Sequence, residues 1–255
     1  MALVLSPLLN VPRICPGDDV ANTVLKGLED TGILLEDNDI LVVTQKIVSK
    51  AEGRTIDLSS ITPSLAAVEL ATHTAKDARL VELMIQESTE LLRADSKAII
   101  CEHKLGFVCP NAGIDQCNIS TDNVSSNNLA LLLPLNPDRS AAEIRSKIEM
   151  RTGKRLGVLI IDSHGRPWRK GSVGTCIGIS GVPARVSLGG LEDLFGRVQR
   201  SARVAVADEL AAAASLVMGQ KADGYPIVHV RGFAYPLRES SLKEILRPKE
   251  EDSFR

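Results

Sequence analysis

The sequence predicts an α+β, mixed α/β fold, and three observations carry that expectation. Short runs of Ile, Val and Leu recur along the chain, each followed by a polar or Gly-rich turn. Between them lie longer segments in which capping residues agree with helical periodicity. Apolar residues form 44% of 255, enough for a substantial core in one large unit or two modest ones sharing a chain.

Asp19 opens the first helical segment, which closes at Gly32. Residues 40–43 are a continuous run of Ile, Leu and Val and read as a buried strand. A helix is expected over about 75–92, with Leu80, Leu83, Met84 and Leu91 on one side. A second strand follows at 98–101. Ser140-Ala-Ala-Glu143 is a capping box, so a helix starts there and ends before Gly153. Residues 158–161 form a third strand and 227–230 a fourth. Between those two, about 201–218 reads as a helix, where Val206, Leu210, Ala213 and Val217 share a face. Its alanines 211–214 allow a neighbouring backbone to approach closely, in the core or at a subunit interface. After Pro236 charge is dense and the two signs are equal in number, as in a short solvated helix with a frayed end.

Composition removes several function classes. With 30 Lys+Arg against 32 Asp+Glu and a net charge of −2, there is no bulk cationic field for nucleic acid, and an aromatic content of 3% is too low for a base-stacking platform. No stretch free of charged residues is longer than 123–137, short of the ~20 apolar residues of a membrane span. The apolar N-terminus lacks a basic n-region and a small-x-small cleavage site, and Pro7 and Pro12 interrupt it, so export is not expected. Cys15, Cys101, Cys109, Cys117 and Cys176 are odd in number with no C-x-x-C spacing, which reads as reduced thiols in the cytoplasm.

Three segments could carry chemistry. The first is 162–181, Gly-rich and directly after a strand, where Asp162 is placed to hold a metal or a ribose at a strand end. Arg166, Arg169 and Lys170 could supply donors to an anion, and a turn with solvated charges is the alternative. The second is 109–118, where Asp115 and Asn118 lie three apart on one side of a turn. Asp115 with Asp162 would make an oxygen-ligand site for Mg²⁺ or Mn²⁺; a self-satisfied Asx-turn is the competing reading. The third is 44–53, where Lys46 and Lys50 share a helix face and repel unless an anion sits between them; exposed lysines each finding water are the alternative. Cys109 and Cys117 could be nucleophiles, although buried thiols are usually inert. No Walker A loop, G-x-G-x-x-G, H-E-x-x-H or G-x-S-x-G pattern is present.

At these segments the chain resembles the coenzyme F420 γ-glutamyl ligase family (coenzyme F420-0:L-glutamate ligase). The resemblance rests on the phrases at 11–19, 47–54, 111–118, 131–138, 162–171, 176–181, 193–197, 206–211 and 217–220, which follow in order over most of the chain. It implies a GTP-dependent, GDP-forming acid–amino-acid ligase that adds L-glutamate to the deazaflavin precursor through an acyl phosphate, with further γ-linked glutamates possible. It implies metal positions at Asp115, Asp162, Ser163 and Gln220, for two Mg²⁺ or Mn²⁺ ions with K⁺ as an accessory. Nucleotide positions fall on Val11, Pro12, Arg13, Ile14, Gln45, Lys46, Lys50, Asn118, Met218 and Gly219. The family pattern has Thr at 163 and Glu at 220, so Ser163 keeps the hydroxyl and Gln220 removes a charge.

The implied architecture is a family-specific ligase fold of two intimately associated subdomains in an intertwined homodimer. Residues 1–255 would be one ligase unit, with a central subdomain at about 96–190 inserted between its N- and C-terminal parts. The fused flavin-binding domain of some bacterial relatives is not in this sequence. Neither nucleic acid nor membrane is an expected partner. The competing functions are a metal-dependent phosphatase or nucleotidyltransferase using the same acids, and a GTP-binding sensor without turnover.

Overall fold

A computed structural model describes residues 2–120, 125–219 and 224–252. The chain begins with β1 (Val4–Pro7), α1 (Val20–Thr31), β2 (Ile40–Thr44) and α2 (Gln45–Ala51). A second group comprises β3 (Thr55–Asp57), α3 (Leu65–Thr74), α4 (Ala78–Gln86), β4 (Ser88–Ala94), β5 (Ile99–His103), β6 (Val108–Pro110) and β7 (Leu129–Leu131). Then come α5 (Pro137–Thr152), β8 (Gly157–Gly165), β9 (Ser172–Ser180), the short pair β10 (Val186–Ser187) and β11 (Arg203–Val204), α6 (Val206–Met218) and β12 (Ile227–Arg231). The mixed class and all four expected strands are present.

The main sheet has the order β1-β12-β2-β8-β9, antiparallel except for the parallel pair β2/β8. Its central strands are covered on both faces, which is why they read as unbroken apolar runs. Leu41, Val43, Val158 and Ile160 pack under α1, α2 and α5; Ile40, Val42, Leu159 and Ile161 pack against α6. The alanines of α6 permit a close approach to β9, where a Cβ on Gly174 would lie 2.4 Å from the Ala211 carbonyl oxygen. A bulge in the β8/β9 register falls where two helices each lend β9 a carboxylate. Asp208 of α6 accepts the Cys176 N–H at 3.0 Å, and Asp138 of α5 accepts that of Ile179 at 2.8 Å. Burial raises the pKa of both acids.

The second group forms a smaller layer. β4-β5-β6 is an antiparallel meander and β3 pairs with β7. Helices α3 and α4 pack behind them on Ile99, Cys101 and Ala112, and on Leu58, Ala130 and Leu132. Arg54 stands where the chain leaves the main sheet and returns: it donates to the Leu133 carbonyl at 3.0 Å and pairs with Glu87 at 2.5 Å. The excursion therefore spans β3 to β7. The stretch 96–190 does not separate at those bounds, because β8 and β9 are strands of the main sheet.

Helix ends correct the sequence reading in four places. The α1 caps are Asp19 and Gly32, as expected. α5 begins a turn before Ser140, since Asn136 accepts the Arg139 N–H and Pro137 takes the first helical position; Gly153 closes it as expected. The single helix expected over 75–92 is divided: Asp77 caps α4, Glu87 ends it, and Leu91 and Leu92 join β4 against β5. That cross-strand pairing overrides helical periodicity. α6 starts at Val206 because Arg203 and Val204 pair with β10. Among its described residues the tail forms two 3₁₀ turns, Leu242–Glu244 and Lys249–Glu251, and no α-helix. No helix among the described residues is long and apolar enough to cross a membrane.

Asp39, just before β2, is buried and pins the sheet to its neighbours. Its carboxylate accepts two bonds from Arg231, at 2.9 and 2.7 Å, and the Glu36 N–H at 2.8 Å, with His229 Nε2 2.9 Å away. Burial alone would raise its pKa, but Arg231, the Glu36 N–H and His229 together hold it below the usual carboxylate value. A lowered folded-state pKa contributes stability above the unfolded carboxylate pKa, and that contribution disappears as pH falls through the folded value. Asp39→Asn should cost about 2–3 kcal/mol, less than a fully buried pair because Arg231 is partly solvated. Denaturant unfolding at neutral pH measures it, and the gap between variant and parent should close in strong acid.

Candidate functional site

Parallel pairing brings two carboxyl ends together. Thr44 is in register with Ile161, so the start of α2 and the polar end of β8 lie side by side. Ligands of open α/β sheets bind at such an edge, outside the carboxyl ends of the strands. A cleft of about 970 Å³ opens there, between the main sheet and the smaller layer.

On its floor, alternation along β8 puts Asp162 and His164 on one face and Ser163 on the other. His164 Nε2 is 3.0 Å from Asp162 Oδ2, although no aligned hydrogen bond reaches that nitrogen. Burial opposes ionisation of Asp162, yet His164 beside it, the Ser163 N–H and the Lys46 charge hold its pKa below the usual value. Lys46 is ion-paired with Asp115 across the cleft. Four residues on, Lys50 Nζ donates to the Asn118 carbonyl at 2.8 Å. Burial lowers the pKa of both ammonium groups; Asp162 partly offsets this for Lys46, and Arg13 adds to it for Lys50. Two half-desolvated cations on one helix face would be relieved by an anion.

The wall over this floor is the segment after β6. Asn111, Ala112 and Gly113 have φ of 54°, 52° and 64°, three consecutive left-handed residues, before Asp115 bridges to Leu131. Asp115 Oδ1 accepts the Cys117 N–H at 2.7 Å, so the Asx-turn is present, and its other oxygen meets Lys46. One carboxylate thus serves the turn and the cleft together. The segment at Val11–Pro16 forms an opposite wall, and the end of α6, with Ser215, Met218 and Gly219, closes the side near Tyr225.

Of the residues singled out from sequence, Val11, Pro12, Arg13, Ile14, Lys46, Lys50, Asp115, Asn118, Asp162, Ser163, Met218 and Gly219 border this one cleft. Gln45 does not. It is fully buried under α2, accepting the Ser49 hydroxyl at 2.8 Å, with its own amide nitrogen unpartnered. Gln220 lies outside the described residues. Arg166, Arg169 and Lys170 sit in the exposed β8–β9 turn away from the cleft lining, Arg166 donating to the Gly171 carbonyl at 3.1 Å. Cys109 is buried and Cys117 lies outside the cleft lining. Sequence reasoning passed over His164; the Asp-x-His spacing on a strand, which puts both side chains on one face, is the signal that could have found it.

Among the described residues no group of three or more His, Cys, Asp or Glu side chains gathers as a ligand set. The oxygen donors present still suit a hard divalent cation, which takes one or two carboxylates and completes its shell with hydroxyl, phosphate and water oxygens. The Lys46 charge against Asp115, and close enough to lower the Asp162 pKa, shows that this acid pair is already balanced by a cation.

Comparison with known proteins agrees with the sequence resemblance. Residues 8–232 match the family described as F420-0:gamma-glutamyl ligase. The chain is 46% identical over 221 residues to the coenzyme F420:L-glutamate ligase of Methanocaldococcus jannaschii, covering 87% of this chain and 86% of that one. It is 44% identical to the enzyme of that name from Methanothermobacter thermautotrophicus, with both chains covered completely. For the one from Archaeoglobus fulgidus the identity is 42%, over 100% of this chain and 97% of the relative.

The wall of the cleft is the most sharply constrained backbone of the site. A Cβ on Gly113 would meet Leu133 Cδ1 at 2.6 Å, at a φ that side chains rarely adopt. Gly113→Ala should destabilise the fold by about 1–3 kcal/mol and displace Asp115. A denaturation midpoint equal to that of the parent chain would refute this.

Proposed function

The chain belongs to the F420-0:gamma-glutamyl ligase family, and on that premise we propose that it joins L-glutamate to the deazaflavin precursor of coenzyme F420 with GTP as co-substrate. The observation that carries the reading is the convergence of two carboxylates and two lysines in one cleft at the ends of β2 and β8. Its volume, about 970 Å³, is at the top of the usual range for small-molecule sites, in keeping with more than one substrate.

A carboxylate and an amine do not condense without a leaving group. Transfer of the GTP γ-phosphoryl group supplies one: the precursor carboxylate oxygen bonds to phosphorus as the bond to GDP breaks. The glutamate amine then bonds to the acyl carbon, phosphate departs with that oxygen, and the amine proton passes to phosphate or water. Lys46 and Lys50 hold the anionic oxygens in place; burial disfavours their charge and lowers the pKa of each, and an anion bound between them would offset that cost. Asp115 and Asp162 would hold Mg²⁺ or Mn²⁺, with Ser163 on the cleft border beside them, and the ion when bound would neutralise charge on the phosphates. Val11 to Ile14, Asn118, Met218 and Gly219 border the nucleotide. The same reading makes the protein a cytoplasmic homodimer of two-subdomain protomers, with K⁺ as an accessory ion and further γ-linked glutamates as later products.

Incubation with precursor, GTP, glutamate and Mg²⁺ or Mn²⁺ should yield a product heavier by one glutamate residue, with GDP release that requires glutamate. Release at the same rate without glutamate would point instead to a phosphatase, and binding without any release to a sensor. Asp162→Asn should lower kcat by about 10²–10³-fold or more while the melting temperature is kept; near-parental turnover in that variant contradicts the role assigned to Asp162.

A further inference from the structure

Asp162 is linked by two side-chain contacts to a residue of the other layer. His164, which touches Asp162 at 3.0 Å, is only 7% exposed, and no aligned hydrogen bond holds its Nε2. What the imidazole does have is a ring against it. Phe107 packs on His164 with centroids 5.3 Å apart at 40°, and on its other side stacks on His103 at 5.4 Å and 9°. Phe107 belongs to the turn between β5 and β6, outside the cleft lining.

That turn is built to keep the ring still. The His103 N–H donates to the Phe107 carbonyl and the Gly106 N–H to the His103 carbonyl, each at 2.8 Å. His103 Nδ1 accepts the Leu105 N–H at 3.0 Å. Burial, with Arg54 nearby, pushes the His103 pKa down to about 4, so its ring is neutral and stacks as an ordinary aromatic face. The stack of three rings thus runs from a tightly closed turn in the smaller layer to the carboxylate at the end of β8.

We propose that Phe107 is a positioning residue for the Asp162 carboxylate: its ring fixes the plane of His164, and His164 holds Oδ2 so that Oδ1 is presented to the cleft. Neighbours that orient a ligating carboxylate typically change metal affinity by about 10–100-fold when removed. The inference rests on the reading of Asp162 as a cation donor, and the test separates the two.

Mn²⁺ binding to the full chain, followed by electron paramagnetic resonance without nucleotide, compares the parent with Asp162→Asn, Phe107→Leu, Phe107→Tyr and His164→Leu. Phe107→Leu and His164→Leu should each weaken Mn²⁺ binding about 10-fold or more at a retained melting temperature, and Phe107→Tyr, which keeps the ring, should restore it. Unchanged affinity in Asp162→Asn removes the cation reading itself. Loss in Asp162→Asn with parental affinity in Phe107→Leu and His164→Leu overturns the positioning role alone. The parent chain supplies a measurement that needs no variant, since four histidines give few imidazole proton signals. Substoichiometric Mn²⁺ should broaden those of His164 first, and a His164 signal left sharp while another histidine broadens overturns the cation reading of Asp162 and the proposal with it.

Discussion

Parallel pairing of β2 with β8 is the constraint on which the rest of this structure depends. Two parallel strands cannot be joined by a tight turn, so the chain must cross from the carboxyl end of one to the amino end of the other. Here that crossing contains α2, the whole smaller layer and α5. The layer therefore leaves and returns near Arg54 and Leu133, which hydrogen-bond each other. Its segment after β6 overhangs the strand ends where Lys46 and Asp162 lie. A cleft with one wall from each layer is the direct consequence.

Within that cleft, charge is balanced locally. Asp115 is shared between its own turn and Lys46, Asp162 is flanked by His164 and Lys46, and Lys50 leans on a backbone carbonyl. Each cation has a partner that a phosphate could replace, and each carboxylate has one that a metal ion could share. This is a poised arrangement for anionic substrates. Tyr225 is the only Phe, Trp or Tyr among the cleft-lining residues described. Recognition in such a site leans on phosphate and carboxylate groups more than on ring stacking.

The two layers meet through different physics at two places. Lys46 to Asp115 is an ion pair between partly exposed side chains, and it responds to whatever charge enters the cleft. His164 to Phe107 is an uncharged ring contact between a buried and a half-buried side chain.

Much of this was legible in the sequence because it is local. Three strands of the main sheet appeared as runs of Ile, Val and Leu since their central residues are buried on both faces, and Asp19, Gly32 and Gly153 marked helix ends because capping is a contact over a few residues. The site residues stood out where charge interrupted Gly-rich turns after strands, and most of them do border one cleft. What sequence could not supply is everything set by distant pairing. Leu91 and Leu92 carry a helical pattern yet become a strand because β5 lies beside them. Gln45 sits next to Lys46 yet is buried, since a short helix packed on the sheet must turn one side inward. Arg166 and Arg169 share a motif with Asp162, but the β8–β9 turn carries them past the sheet edge and into solvent. Residue types and local spacing determined which groups were available. Only the crossing of the chain between β2 and β8, a contact between residues more than a hundred positions apart, decided which of them face each other.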